Sequence, residues 1–162
     1  MPKESGDARY WLLKTEPSTF SFDDLWAAPK RTSFWDGVRN FQARNTLRDK
    51  MKKGDLVFIY HSSADPTGIA GIAEVAKEGY PDPTAFDRKD SHYDPKSKPD
   101  APTWYGVEVR ALEAVKPIIT LEELRRTPGL EKMVLLKILL SVSTLLSDAV
   151  KAYCALPKHI AT

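Results

Sequence analysis

The sequence predicts an α+β domain, a curved or barrel-like β-sheet of five or six strands decorated by short helices. Three observations carry that class. Five runs rich in β-branched, aromatic or small apolar residues read as strands: "YWLLK" (10–14), "DLVFIYH" (55–61), "GIAGIAEVAK" (68–77), "WYGVEVRALEAVKPI" (104–118) and "ILLSVS" (138–143). Helical stretches between them are few and short. They do not alternate with the strands in the βαβ rhythm of a doubly wound fold.

Each element has a local cause. Pro17 restricts the residue before it and breaks the first strand after "YWLLK". Ser21 with Asp24 forms a capping-box signature, and Phe20 with Leu25 a hydrophobic staple, so a helix begins there and Pro29 ends it. A second helix is expected from about Asn40 to Lys52, stopped by Gly54. Along it, Ala43, Leu47 and Met51 make an apolar stripe, and Arg44, Arg48 and Lys52 a basic stripe about 100° further round. The small residues of 68–77 suggest a curved or bulged strand. Residues 79–103 form a proline- and aspartate-rich loop of a length that is usually functional or disordered. Thr120 with Glu123 caps a third helix, and Ser147-Asp148 opens a short C-terminal one that Pro157 closes.

At 162 residues the chain reads as one domain, spanning 9–156, with polar tails at 1–8 and 157–162 expected to be flexible. No apolar run approaches the roughly 18 residues of a membrane span. The opening residues lack an apolar signal-peptide region, so a cytoplasmic protein is expected, or a nuclear one in a eukaryote. Cys154 is alone, which excludes an internal disulfide framework and agrees with a reducing compartment. The net charge of +2 hides an asymmetry: residues 28–53 carry a local +6, and residues 74–95 a local −3. One basic face and one acidic loop suit a polyanion engaged on one side only.

The search for chemistry excludes more than it finds. Three histidines and one cysteine show no metal-ligand spacing, so no metal is expected. "GIAG" is neither a phosphate loop nor a dinucleotide fingerprint, and no cofactor is expected. His61-Ser62-Ser63 at a strand end admits an enzyme acting on a nucleobase or RNA, but no G-x-S-x-G elbow accompanies it and no catalytic residue is assigned. Aromatics interleaved with charge remain: Trp11, Trp35, Tyr60, Tyr93 and Trp104 all fall at strand ends or in loops. Two facing rings can hold one extruded base. For Trp11, within "YWLL", core packing and a site role stay open. For Trp35, with Asp36-Gly37 behind it and a basic helix ahead, the site reading is favoured.

"YWLLKTEPSTFSFDDL", "WDGVRNFQARNTLRDKMKKGDLVFIYHS" and "GIAGIAEVAKEGYPD", followed by "FDRKDSHYDP" and "LEEL", closely resemble the EVE domain family. The resemblance runs in collinear order from about Tyr10 to Leu136. It implies a PUA-like fold, related to the YTH readers of methylated RNA, and a pocket for one modified base. 5-Methylcytosine or an oxidised form in DNA is the implied ligand, with a modified base in tRNA or rRNA as the alternative. Carried across, the pocket takes Trp35 as an aromatic wall and Lys14, Thr15 and Glu16 as its floor. Asp36, Gly37, Val38 and Asn40 stand at the helix entrance, and His61 and Ser62 on the far side. Arg39, Arg44 and Arg48 become phosphate contacts, which position without reading sequence. On this reading Trp35→Ala abolishes modified-base binding and spares the fold. The apolar stretch "LLKILLSVSTLL" departs from the family, whose members are more basic there. Its edge would permit pairing of two copies, although a monomer is favoured over a homodimer.

Overall fold

The computed structural model describes residues 10–126 and 144–145. Five strands and a two-residue sixth form one mixed sheet: β1 (Tyr10–Thr15), β2 (Thr32–Phe34), β3 (Leu56–His61), β4 (Gly68–Pro81), β5 (Tyr105–Thr120) and β6 (Thr144–Leu145). Their order across the sheet is β2-β5-β4-β3-β1-β6. The β3–β4–β5 run is an antiparallel meander, whereas β1 lies parallel to β3, with Leu12 opposite Phe58 and Thr15 opposite His61. Strand β3 is central, and its residues from Val57 to His61 are buried on both faces, as its continuous apolar run requires. The pairing of β4 with β5 shifts register four times, so these long strands bend.

Short helices sit on this sheet. α1 (Phe22–Ala27) starts at the predicted capping box: the Ser21 side chain accepts from the Asp24 amide, and Asp24 accepts from the Ser21 amide. Phe22 lies so close to β4 that a Cβ on Gly71 would fall 2.2 Å from its ring. α2 (Phe41–Asn45) is capped by Asn40 and rewinds into a π-helical turn over Thr46–Lys50. Its predicted apolar stripe, Ala43, Leu47 and Met51, is fully buried. α3 (Leu121–Arg126) follows β5 directly, with Thr120 and Glu123 bonded as a cap. The core runs between sheet and helices, with Trp11, Phe22, Leu25, Trp35, Leu47 and Val109 among its members.

Trp11 belongs to that core. It is 1% exposed, and its indole N–H donates to Asp55 Oδ2 at 2.8 Å. The α+β class and the strand number match the sequence reading. Closure into a barrel does not: no ladder joins the two sides, and β2 and β6 are the edges of an open sheet among the described residues. The second helix is shorter than its amphipathic stripe implied, because the π turn takes over after Asn45. β2 was not legible as a strand, since three residues carry no periodicity. The expected strand at 138–143, the helix from Ser147 and the tails at 1–8 and 157–162 lie outside the described residues.

Candidate functional site

The end of β1 opens into a cavity of about 410 Å³, within the usual range for small-molecule sites. Three separate segments build it. Lys14 and Thr15 are the last two residues of β1, and Thr19 and Phe20 come from the bend that follows. That bend is held by the Thr19 and Phe20 amides donating to the Glu16 carbonyl, and by Thr15 Oγ1 donating to the Phe20 carbonyl at 2.7 Å. Ser33, Phe34, Trp35 and Asp36 come from β2 and its continuation, and Asp90, Ser91 and His92 from the long loop.

Trp35 is both wall and core. Its amide donates to the Val107 carbonyl at 2.8 Å, prolonging the β2–β5 pairing, and its side chain packs into the main apolar cluster at 9% exposure. Phe20 meets it edge to face, with ring centroids 6.2 Å apart. Trp35→Ala is therefore expected to cost stability as well as binding.

Behind Asp36 the chain turns sharply at Gly37, whose φ of +75° favours glycine. Its amide donates to Asp82 Oδ2 at 2.9 Å, and a Cβ there would lie 2.6 Å from the His92 ring. Gly37→Ala is expected to cost about 1–2 kcal/mol from its backbone conformation and to push His92 out of place. Urea denaturation together with the imidazole NMR signals of His92 checks both effects.

Asp82, fully buried, is the clasp between turn and loop. Arg39 Nη1 donates to Asp82 Oδ2 at 2.9 Å, and the same guanidinium donates to the His92 carbonyl and to Thr84 Oγ1. Burial pushes the Asp82 carboxyl up, but donors from the Thr84 hydroxyl, the Gly37 amide, Arg39 and the Thr84 amide outweigh it. They hold the group below the usual carboxylate range. Asp36 shifts the other way. It stands at the cavity rim, yet desolvation by its neighbours and then the Asp82 charge raise its pKa, with His92 and Arg39 opposing.

The structure brings Lys14, Thr15, Trp35 and Asp36 together and places the remaining expected residues around them. Glu16 is exposed and lies 3.5 Å from the Ser63 hydroxyl. Val38 packs against the core, and the Asn40 side chain caps α2 by accepting from the Ala43 amide at 3.0 Å. His61 Nε2 accepts from the Phe22 amide at 3.0 Å, and burial lowers its pKa against the pull of Asp23. That bond commits one of the two ring nitrogens of His61 to holding the start of α1. Ser62 is bonded through its amide and hydroxyl to the Thr15 carbonyl.

Among the expected phosphate contacts, Arg39 is spent inside the clasp. Arg44 Nη1 donates to the Thr103 carbonyl at 2.8 Å, and Arg48 pairs with its neighbour Asp49 on the surface. Sequence reasoning missed Asp90, Ser91 and His92 as cavity residues. The length and acidity of their loop were the available signal. Among the described residues, no cluster of His, Cys, Asp and Glu is arranged to hold a metal, and no helix is long and apolar enough to cross a membrane.

An open mixed sheet carrying short helices, with an aromatic-walled cavity at the end of its first strand, defines a PUA-like domain. The chain belongs to the EVE domain family, whose profile matches residues 9–152. It is 47% identical to mouse thymocyte nuclear protein 1 over 127 residues, covering 73% of this chain and 56% of that protein. The human homologue is 47% identical over 125 residues, covering 72% and 55%. The chain thus spans about half the length of the curated relatives it matches. Among solved structures, a hypothetical protein from Leishmania major superposes with a TM-score of 0.85 at 40% identity, covering 91% of this chain and 92% of that one. Human THYN1 in complex with 5-methylcytosine-containing DNA superposes with a TM-score of 0.83 at 40% identity, covering 91% and 95%.

Proposed function

We propose that the chain is a non-catalytic module that binds one modified base, 5-methylcytosine or an oxidised form of it, in DNA. The observation that carries the reading is the Trp35-walled cavity, found in a chain 40% identical to a domain solved with 5-methylcytosine-containing DNA. In this reading the base lies against Trp35. Phe20 and Phe34 supply further apolar surface, Lys14 offers a donor from the floor, and the Thr15 hydroxyl, whose proton goes to the Phe20 carbonyl, offers an acceptor. The Asp36 carboxylate accepts from the exocyclic amine of cytosine. Gly37, Val38 and Asn40 shape the turn, while Glu16, His61 and Ser62 support the strand ends from outside the cavity. Arg44 and Arg48 face the phosphates once a polyanion competes for them, and Arg39 keeps the loop in place.

The energetics bound the selectivity. Burying one methyl group is worth about 0.8 kcal/mol, roughly a fourfold preference. A larger preference needs a hydrogen bond that the wrong base leaves unmade. Extruding a base from duplex costs a few kcal/mol, so unpaired or mismatched targets bind best.

Titration of labelled oligonucleotides carrying one unmodified, methylated or hydroxymethylated cytosine tests the proposal. Saturating binding is expected to favour one modified DNA and to weaken between about 50 and 200 mM salt. Equal affinity for all three DNAs, or preference for the same base in RNA, would overturn it.

A further inference from the structure

Outside the cavity, one aromatic side chain is placed in a way its packing does not explain. Phe41, the first residue of α2, is 60% exposed, the most open large apolar side chain among the described residues. A lone exposed phenylalanine is ordinary. This one is held in place. Its ring stacks on Trp104 with centroids 4.9 Å apart and planes 29° from parallel. Trp104 is itself 6% exposed, with its indole N–H fixed on Asp94 Oδ2 at 2.7 Å.

Cations gather around the same rings. The Arg44 guanidinium carbon lies 5.1 Å from the Phe41 centroid, and that of Arg39 lies 5.3 Å from the Trp104 centroid. One helical turn on, the Arg48 guanidinium lies 5.7 Å from the Tyr105 ring. Arg44 is oriented by its bonds to Thr103 and Asn45, and Arg48 by Asp49. An exposed ring held by stacking, with guanidinium groups at cation–π distance, matches the sites on which single-stranded nucleic acid stacks its bases. Little conformational freedom is lost when a ring already fixed receives a base.

We propose that Phe41, flanked by Arg44, is a stacking platform for an unpaired DNA base on the same strand as the one held in the cavity and within about five nucleotides of it. The inference rests on the proposed function for its polymer, and it adds a second contact that is independent of modification. Chain length makes the pairing feasible: Phe41 follows Asp36 by five residues, at most about 18 Å of backbone. That distance corresponds to about five stacked nucleotides at 3.4 Å each.

Phe41→Leu tests the platform, because leucine still covers Trp104 but offers no aromatic face. The probe is a 12-nucleotide unmodified single-stranded DNA, beside the same strand with one 5-methylcytosine and abasic sites placed in turn at each flanking position. Wild type is expected to bind the unmodified strand, and F41L to bind both strands about fivefold to a hundredfold more weakly. The ratio between methylated and unmodified strands should not change. One abasic position should weaken wild type and leave F41L unaffected. Equal affinities of wild type and F41L for the unmodified strand, or abasic penalties identical in the two proteins, would overturn the platform. Loss of methyl preference in wild type, with the F41L deficit intact, would overturn the cavity reading and leave the platform standing.

Discussion

Trp35→Leu is expected to erase the preference for a modified cytosine, and Trp35→Ala to do so while also bringing the domain close to unfolding. Stacking on one aromatic wall is worth about 1–3 kcal/mol per base. The modified strand should therefore weaken by roughly fivefold to more than a hundredfold in either variant. The fold responds differently to the two. Trp35 is 9% exposed and part of the main apolar cluster. Truncation to alanine leaves a cavity and costs about 3–5 kcal/mol, a large share of the 5–15 kcal/mol that holds a typical domain together. Leucine refills part of the space. Urea denaturation followed by circular dichroism separates stability from affinity, since binding is then read only on the leucine variant, shown to be folded. Undiminished preference in folded W35L would remove Trp35 from the site.

Asp82→Ala should produce the second large effect, on both stability and cavity shape. One buried carboxylate joins the Gly37 turn, Arg39 and the start of the loop that supplies Asp90, Ser91 and His92. Removing it strands the Arg39 charge. The cost is placed at about 3 kcal/mol, the low end for a broken buried pair, because the Arg39 side chain keeps 23% exposure and water can reach it. The pH dependence carries a definite sign. The Asp82 pKa is lowered in the folded state from an ordinary value of 3.8, so its stabilisation is complete above that value. It is lost as pH falls from there through the folded-state pKa. The gap between wild type and D82A in urea midpoint should be full at pH 7 and narrow below about 3.8. A gap independent of pH would show that packing, not the ionised clasp, is what Asp82 supplies.

Much of this architecture was legible in the chain because its signals are local. The Ser21 and Thr120 caps, the Ala43–Leu47–Met51 stripe and the apolar run of β3 all act within one or two turns or along one strand. The EVE-like motifs extended that reading to Trp35, Asp36, Lys14 and Thr15, all of which line the cavity. What escaped was long-range. Arg39 reads as a free cation until Asp82, forty-three residues later, takes it. His61 gives no local sign of its bond to the Phe22 amide, thirty-nine residues earlier. Asn40 looks available for a ligand, although an asparagine just before a helix is first of all its cap. Trp11 could be assigned only when Asp55 was seen to hold its indole.

The three-residue strand β2 carries a consequence for solubility. An unpaired sheet edge invites a second chain to add itself, and edge-to-edge growth of that kind leads to aggregation. Here the exposed margin is Thr32–Phe34, shorter than the typical strand of about five residues. Just ahead of it, Lys30 and Arg31 both adopt φ of 54°, so the backbone leaves the strand direction and two positive charges stand where an intruding strand would begin. The same few residues lead directly into Phe34 and Trp35. The sheet margin beside the aromatic cavity is thus too short, too kinked and too charged to template a neighbour.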